Sequence, residues 1–293
     1  MDRKVLEGIY DVHIHAGPSN AQRKVDVLEM YHEAKEAGYK GFVVKDHYIP
    51  ALFGTKMIQD HFAEDDFVIR GALVLNNSVG GLNVNMVDQA RQLDAAMVYF
   101  PTVSAKNHLD LTKDTGFAGA ANNDVDEDPI EILLENGELV PEAIEVLKYM
   151  AKHDMLLGTG HLRHDEVDVL VKKAFKLGVK RVLITHPHFQ VNASIEEMVR
   201  WADMGAYIEI NACVFDGGGS KIEAKVPLVV AKKMMDAVGV ERMILDSDFG
   251  QLANDTPVEG LLTFINILEE KFGLTEEDVN IMAKENPKKL FKF

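Results

Sequence analysis

The sequence is poor in cysteine and in long apolar segments, and each of these absences excludes a class of protein or site. Among its 293 residues Cys213 is the one cysteine, which excludes an intramolecular disulfide and a cysteine-based zinc site. No apolar run is long enough to span a bilayer, and the first residues, MDRKVLEG, lack the apolar segment of a signal peptide. We therefore expect a cytoplasmic protein without a membrane partner, in which any metal is held by His, Asp, Glu or Lys.

Positive charge is also scarce. Lys and Arg number 31 against 47 for Asp and Glu, which gives a formal net charge of -16. Because no basic stripe offsets the carboxylates, this balance argues against a nucleic-acid partner and favours a small-molecule substrate. No Pro- or Ser-rich linker divides the chain, so residues 1–293 are expected to form a single domain. A homo-oligomer remains open at this point.

Short apolar segments alternate with amphipathic helical segments along most of the chain. Eight strands are predicted, at residues 9–15, 41–45, 68–75, 97–103, 155–160, 181–185, 207–211 and 242–246. Such alternation implies parallel strands joined by right-handed crossovers, and eight units close into a (β/α)₈ TIM barrel. A seven-unit barrel and an open doubly wound sheet are the alternatives, although no Gly-x-Gly-x-x-Gly motif follows the first strand.

The alternation is interrupted after the fourth strand. Residues 104–140 are polar and contain the acidic run 124–128, and a connection of this length is usually functional or mobile. We interpret residues 104–140 as an insertion that could form a lid over the strand ends. The run Gly217-Gly218-Gly219 is predicted to be a loop, and the chain is expected to end in a helical tail.

A His-x-His motif ends the first strand. Side chains alternate across a strand, so His13 and His15 point to one face, and the following Gly17-Pro18 pair ends the strand. Neutral imidazole is the commonest protein ligand for transition metals. Two imidazoles at one strand end therefore indicate a candidate metal site.

Other unusual polar residues also gather at the carboxyl ends of predicted strands, where barrel enzymes carry their chemistry. Besides His13 and His15 they are Lys45 and His47 after strand two, His161 after strand five, His186 and His188 after strand six, and Asp246 and Asp248 after strand eight. Thr102 and Gln251 lie at strand ends or in adjacent loops and, with His188, are candidate substrate-binding residues. The remaining histidines, His108 among them, lack this placement and are predicted to be surface or helix residues.

The order of these residues resembles the amidohydrolase superfamily of metal-dependent hydrolases over the whole chain. That pattern has His-x-His after strand one, one His each after strands five and six, and an Asp after strand eight. The matching residues are His13, His15, His161, His186 and Asp248. The ending Asn286-Pro287-Lys288-Lys289-Leu290-Phe291 is similar to the Asn-Pro-x-x-Leu-Phe tail of the branch that includes TatD-like enzymes and the amidohydrolase-2 decarboxylases and hydrolases.

The sequence departs from this pattern after strand four. That strand ends in Pro101-Thr102-Val103-Ser104, without the Lys or Glu that bridges two metals in many relatives. The resemblance therefore implies either a single-metal site or a bridging ligand from elsewhere, with Lys45, which could be carbamylated, and His47 as candidates. The segment Val44-Lys45-Asp46-His47 also resembles the Thr-Asp-His segment of the PHP phosphoesterases.

The resemblance implies a hydrolase that uses a metal-activated water on a small ester, amide, lactone or phosphoester. The expected ion is Zn²⁺, as one or two ions, with Mn²⁺, Fe²⁺ or Ni²⁺ as alternatives. Its predicted ligands are His13, His15, Lys45, His47, His161, His186 and Asp248. Asp248 would act as general base and acid, and His186 as a ligand or as a stabiliser of the oxyanion. The alternatives are a metal-dependent decarboxylase of a small carboxylate, a PHP-like phosphoesterase, and a binding protein without activity.

Overall fold

Parallel strands alternate with helices throughout the computed structural model, which describes residues 1–114, 116–117, 119–121, 124–217, 220 and 225–293. The strands of these residues are β1 Tyr10–Ile14, β2 Gly41–Val44, β3 Val68–Gly71, β4 Leu73–Val74, β5 Val98–Tyr99, β6 Leu156–Gly158, β7 Arg181–Ile184, β8 Tyr207–Asn211 and β9 Met243–Asp246. They pair in the order β1-β2-β3 in one sheet and β4-β5-β6-β7-β8-β9 in the other, and every pairing is parallel. The predicted α/β class with parallel strands is therefore confirmed.

The two sheets share one extended segment. Only Ala72 separates β3 from β4, and its backbone N–H donates to the carbonyl of Val44 at the end of β2. The predicted third strand, 68–75, thus serves as the edge of both sheets.

The first and last strands also meet. The backbone N–H of Asp248 donates to the carbonyl of His13, and the N–H of His15 donates to the carbonyl of Phe249, both at 2.8 Å. The segments that follow β9 and end β1 therefore lie side by side, as a barrel requires. Closure of all eight predicted strands into a barrel stays part of the proposal below.

The helices of the described residues are α1 Val27–Glu36, α2 Leu52–His61, α3 Val84–Gln92, α4 Lys106–Thr112, α5 Pro141–Lys152, α6 His164–Leu177, α7 Ile195–Asp203, α8 Val229–Val238, α9 Pro257–Phe272, α10 Glu276–Asn280 and α11 Asn286–Phe291. Local signals explain several of their ends. A capping box of Asp26 and Glu29 begins α1, and Gly178, with φ of 93°, ends α6. None of these helices is long and apolar enough to cross a membrane.

The chain ends in the expected helical tail, which is tied to the start of β9. The side-chain amide of Asn286 donates to the carbonyls of Val240 and Met243, each at 2.8 Å. Leu290 and Phe291 are buried against apolar side chains of the strands. The Asn-Pro-x-x-Leu-Phe ending is therefore part of the packed structure.

The predicted insertion is described in part. It contains α4 and an antiparallel bridge between Leu133 and Leu139. Thr115, Ala118, Asn122 and Asn123 of this segment lie outside the described residues, as do Gly218 and Gly219 of the predicted glycine loop.

Buried side chains from strands of both sheets form an apolar layer, and a polar layer follows it towards the carboxyl ends of the strands. Val43, Tyr207 and Ile244 belong to one buried apolar cluster. Residues two positions further along a strand share the same face, which places Lys45, Glu209 and Asp246 in the next layer towards the carboxyl ends. All three are fully buried. The alternation of β2, β8 and β9 thus brings polar groups together above an apolar floor.

Candidate metal centre

His13 in β1 and His15, directly after that strand, converge on one carboxylate in the loop after β9. Nε2 of His13 lies 3.2 Å from Oδ1 of Asp248, and Nε2 of His15 lies 3.1 Å from the same oxygen. All three side chains are buried, and their ligand atoms lie within 4.8 Å of one another. Residues from the two ends of the chain therefore form a group that could hold one metal ion.

His186, two residues after β7, lies beside this group. Its Nε2 lies 3.7 Å from Oδ2 of Asp248, and its ring centroid is 5.0 Å from that of His13. The backbone φ is 47° at His186 and 52° at Asp248, in the left-handed region that non-glycine residues seldom adopt. The fold thus holds both residues in an unfavourable conformation, a feature that concentrates at functional sites.

Burial sets the charge of these histidines. Desolvation lowers the pKa of His13 and of His15 well below the usual value, and it lowers the pKa of His186 to about 3. The rings are therefore neutral at neutral pH. Neutral imidazole is the form that binds a metal.

Two residues of β8 support the imidazoles from below. Oε1 of Glu209 lies 3.0 Å from Nδ1 of His13, and Oδ1 of Asn211 lies 2.9 Å from Nδ1 of His186. A partner on Nδ1 fixes the tautomer and leaves Nε2 for a metal. Neither residue was predicted to belong to the site, although the alternating segment Tyr207–Asn211 places Glu209 and Asn211 on one face.

Lys45 and His47 lie beside this centre. Nζ of Lys45 is 3.1 Å from Nε2 of His13, and burial lowers the pKa of this amine. The ring of His47 is 5.1 Å from that of His15, and its Nδ1 is 2.8 Å from Oγ1 of Thr102. Thr102 is fully buried behind His47, so its hydroxyl positions this ring.

His161 is oriented by a histidine of the insertion. Its Nδ1 lies 2.9 Å from Nδ1 of His108, and its ring lies 5.4 Å from those of His47 and His186. Nε2 of His161 is buried and has no hydrogen-bond partner among the described residues. His108 lies on helix α4, as predicted, but it is buried against the site, a position that its sequence context did not indicate.

Gln251 and His188, which were predicted to bind the substrate, lie in different surroundings. Gln251 lines a narrow cavity of about 30 Å³ together with His15, His47, His161, His186 and Asp248. The ring of His188 instead stacks on Phe215 at 4.6 Å, and neither of its nitrogens has a partner among the described residues. His188 is therefore turned away from the group around Asp248.

The fold of this chain is similar to those of several solved structures. An amidohydrolase from Pseudomonas aeruginosa shares 14% identity with a TM-score of 0.65, over 99% of this chain and 97% of that chain. A putative 2-pyrone-4,6-dicarboxylic acid hydrolase from Pseudomonas putida shares 12% identity with a TM-score of 0.60, over 97% of each chain. The 2,6-dihydroxybenzoate decarboxylase from Rhizobium shares 11% identity with a TM-score of 0.58, over 98% of this chain and 99% of that one. The expected resemblance to the amidohydrolase superfamily is thereby confirmed at the level of the fold.

The chain itself belongs to the family described as Family of unknown function (DUF6282), whose model matches residues 8–209. No curated protein matches the sequence. The matched region includes His13, His15, His161 and His186, whereas Asp248 lies beyond it.

Proposed function

We propose that this protein is a metal-dependent hydrolase that acts on a small ester, amide, lactone or phosphoester. The observation that carries this proposal is the convergence of His13, His15 and His186 on the carboxylate of Asp248. These groups come from β1 and from the segments that follow β1, β7 and β9. The names of the structural neighbours, which include an amidohydrolase and a pyrone hydrolase, support the same class.

The residues present fit a divalent ion such as Zn²⁺. Three neutral imidazoles and a carboxylate are a donor set that this ion accepts. The buried Nε2 of His161, which has no partner in the described part of the chain, offers a further donor atom. Bound there, the ion would polarise a substrate oxygen and make water reactive near neutral pH. Mn²⁺, Fe²⁺ and Ni²⁺ suit the same ligands.

The chain's own residues supply the proton transfer and the binding of the substrate oxygen. In this proposal Oδ2 of Asp248 accepts the proton from the attacking water and later returns it to the leaving group. His47, which lines the cavity beside Asp248, donates a hydrogen bond to the developing oxyanion, whereas His186 serves as a ligand through Nε2. Gln251 holds the backbone of Asp248, because its Nε2 donates to the carbonyl of that residue at 2.8 Å.

A single ion is the stoichiometry that these contacts favour. The fully buried Thr102, after β5, already bonds His47 and Asn76. The Lys45 amine lies against Nε2 of His13 and thus takes up space beside the proposed ion. We further propose that the eight predicted strands close into a barrel with these residues at its mouth, that residues 1–293 act as one domain, and that the substrate is a small molecule.

A decarboxylase of a small carboxylate is the second candidate. A one-ion site favours it, and the decarboxylase among the structural neighbours has the same fold. The PHP-like phosphoesterase alternative has less support, because it needs several ions and further ligands around His47.

Metal analysis and a substrate panel test the proposal together. We expect purified protein loaded with Zn²⁺ to bind about one ion per chain and to hydrolyse at least one small ester, amide, lactone or phosphoester. Release of CO₂ from a small carboxylate, without hydrolysis, would favour the decarboxylase. Protein that binds no divalent ion would contradict both.

A further inference from the structure

An arginine in the loop after β1, Arg23, lies against the loop that follows β9 and carries Asp248. The backbone of Arg23 forms an antiparallel bridge with Gln251, and the N–H of Lys24 donates to the carbonyl of Gly250 at 2.8 Å. Gln251 itself lines the cavity. The backbone at Arg23 is therefore paired with the loop that follows the last strand.

The side chain of Arg23 is enclosed but incompletely bonded. Only 3% of it is exposed. Its Nε donates to Oγ of Ser19 at 3.3 Å and its Nη2 to Oδ2 of Asp46 at 3.5 Å, both long contacts. Nη1 is buried without any hydrogen-bond partner in the described part of the chain. Buried donors are almost always paired, so an orphaned guanidinium nitrogen calls for an acceptor that is supplied from outside.

Asp46 anchors this guanidinium without using up its donors. Oδ1 of Asp46 accepts the backbone N–H groups of Tyr48 and Ile49, at 2.8 and 3.0 Å. Only Oδ2 reaches Arg23, and it contacts one of the two terminal nitrogens. Asp46 therefore holds one terminal nitrogen of Arg23 and leaves the other, Nη1, without a partner among the described residues.

We infer that Arg23 binds an anionic oxygen group of the substrate. The substrate would then be a small acid, with its reacting group at the Asp248 centre and a carboxylate or phosphate at Nη1 of Arg23. Arg is suited to this role, because its planar N–H groups match the oxygens of both anions. This inference rests on the proposed function and narrows its substrate class.

Calorimetric titration of the Zn²⁺-loaded protein with three probes tests the inference. Succinate carries two carboxylates, succinamate replaces one of them by a neutral amide, and 3-phosphonopropionate replaces one by a phosphonate. We expect succinate or 3-phosphonopropionate to bind at least about tenfold more tightly than succinamate, as a charge-assisted pair requires. The tighter of the two anions identifies carboxylate or phosphate as the group recognised.

The variant Arg23→Gln should abolish this preference for the second anion and leave the affinity for succinamate within about twofold. Arg163→Gln is the matched control, because the side chain of Arg163 is 59% exposed. Equal affinities of all three probes for the wild type, or a preference that survives in Arg23→Gln, would overturn the inference. Even if Arg23→Gln does not fold, the ratio of the wild-type affinities for succinate or 3-phosphonopropionate and for succinamate tests the inference. If the wild-type protein does not bind Zn²⁺, that result would instead contradict the proposed function.

Discussion

The carboxylate of Glu209 lies 3.0 Å from Nδ1 of His13, and neither side chain is exposed to solvent. The two residues belong to β8 and β1, so this contact links strands of the two sheets. Nε2 of the same ring faces Asp248 at 3.2 Å. Glu209 thereby determines which nitrogen of His13 is free to bind a metal and increases the basicity of that nitrogen.

Replacing Glu209 by Gln should weaken metal binding. The amide oxygen can still accept the Nδ1 proton, but the negative charge that strengthens the ligand is lost. We expect the Zn²⁺ dissociation constant to rise by about 10- to 100-fold. Competition with a chromophoric chelator measures it. Glu270→Gln, at a side chain that is 71% exposed, is the control and should not change the constant. An unchanged constant in Glu209→Gln would remove Glu209 from the support of the site.

Removal of the ion should destabilise the folded protein. A ligand that binds only the folded state stabilises it by mass action, by about 4 kcal/mol when the free ion is at roughly 1,000 times its dissociation constant. We therefore expect the Tm to fall when EDTA is added and to recover with excess Zn²⁺. His13→Ala should abolish this shift, whereas His61→Ala, at an exposed residue that ends α2, should retain it. A Tm that does not change when EDTA is added would argue against a bound ion.

The loop that carries Asp248 depends on a glycine. Gly250 has φ of 126°, and a Cβ there would lie 1.7 Å from the carbonyl oxygen of His15. Gly250→Ala should therefore lower the free energy of unfolding by about 3 kcal/mol or more. Gly137 has φ of 80° with no atom within 4 Å of the added Cβ, so Gly137→Ala should cost only about 1 kcal/mol. Urea denaturation measures both, and equal losses would contradict the steric argument.

The residues around Asp248 could be predicted because two simple rules place them. Period-two alternation puts His13 and His15 on one face, and barrel architecture collects the residues at strand ends. The contacts of His13, His15 and His186 with Asp248 agree with this placement. Their roles in binding and catalysis stay predictions.

The supporting residues were harder to predict for physical reasons. Glu209 lies inside a strand, and a single charged residue within an apolar segment does not by itself indicate a site. His108 reaches His161 through an insertion whose position is set by tertiary packing, which no local periodicity encodes. The direction of His188 depends on its stacking with Phe215, a contact between two different loops. Strand ends therefore indicated the centre but not the residues that orient it.

Asp248→Asn is the variant that separates catalysis from folding. Asn tolerates the left-handed backbone conformation better than most residues, so φ of 52° at this position should be retained. The amide cannot accept a proton from water, and kcat for a substrate found in the panel should fall by about 10²- to 10⁴-fold. Circular dichroism should stay close to that of the wild type when kcat is measured with excess Zn²⁺, and Asp255→Asn, at an exposed position, should retain full activity. Near-normal turnover in a folded Asp248→Asn protein would exclude this carboxylate as the general base.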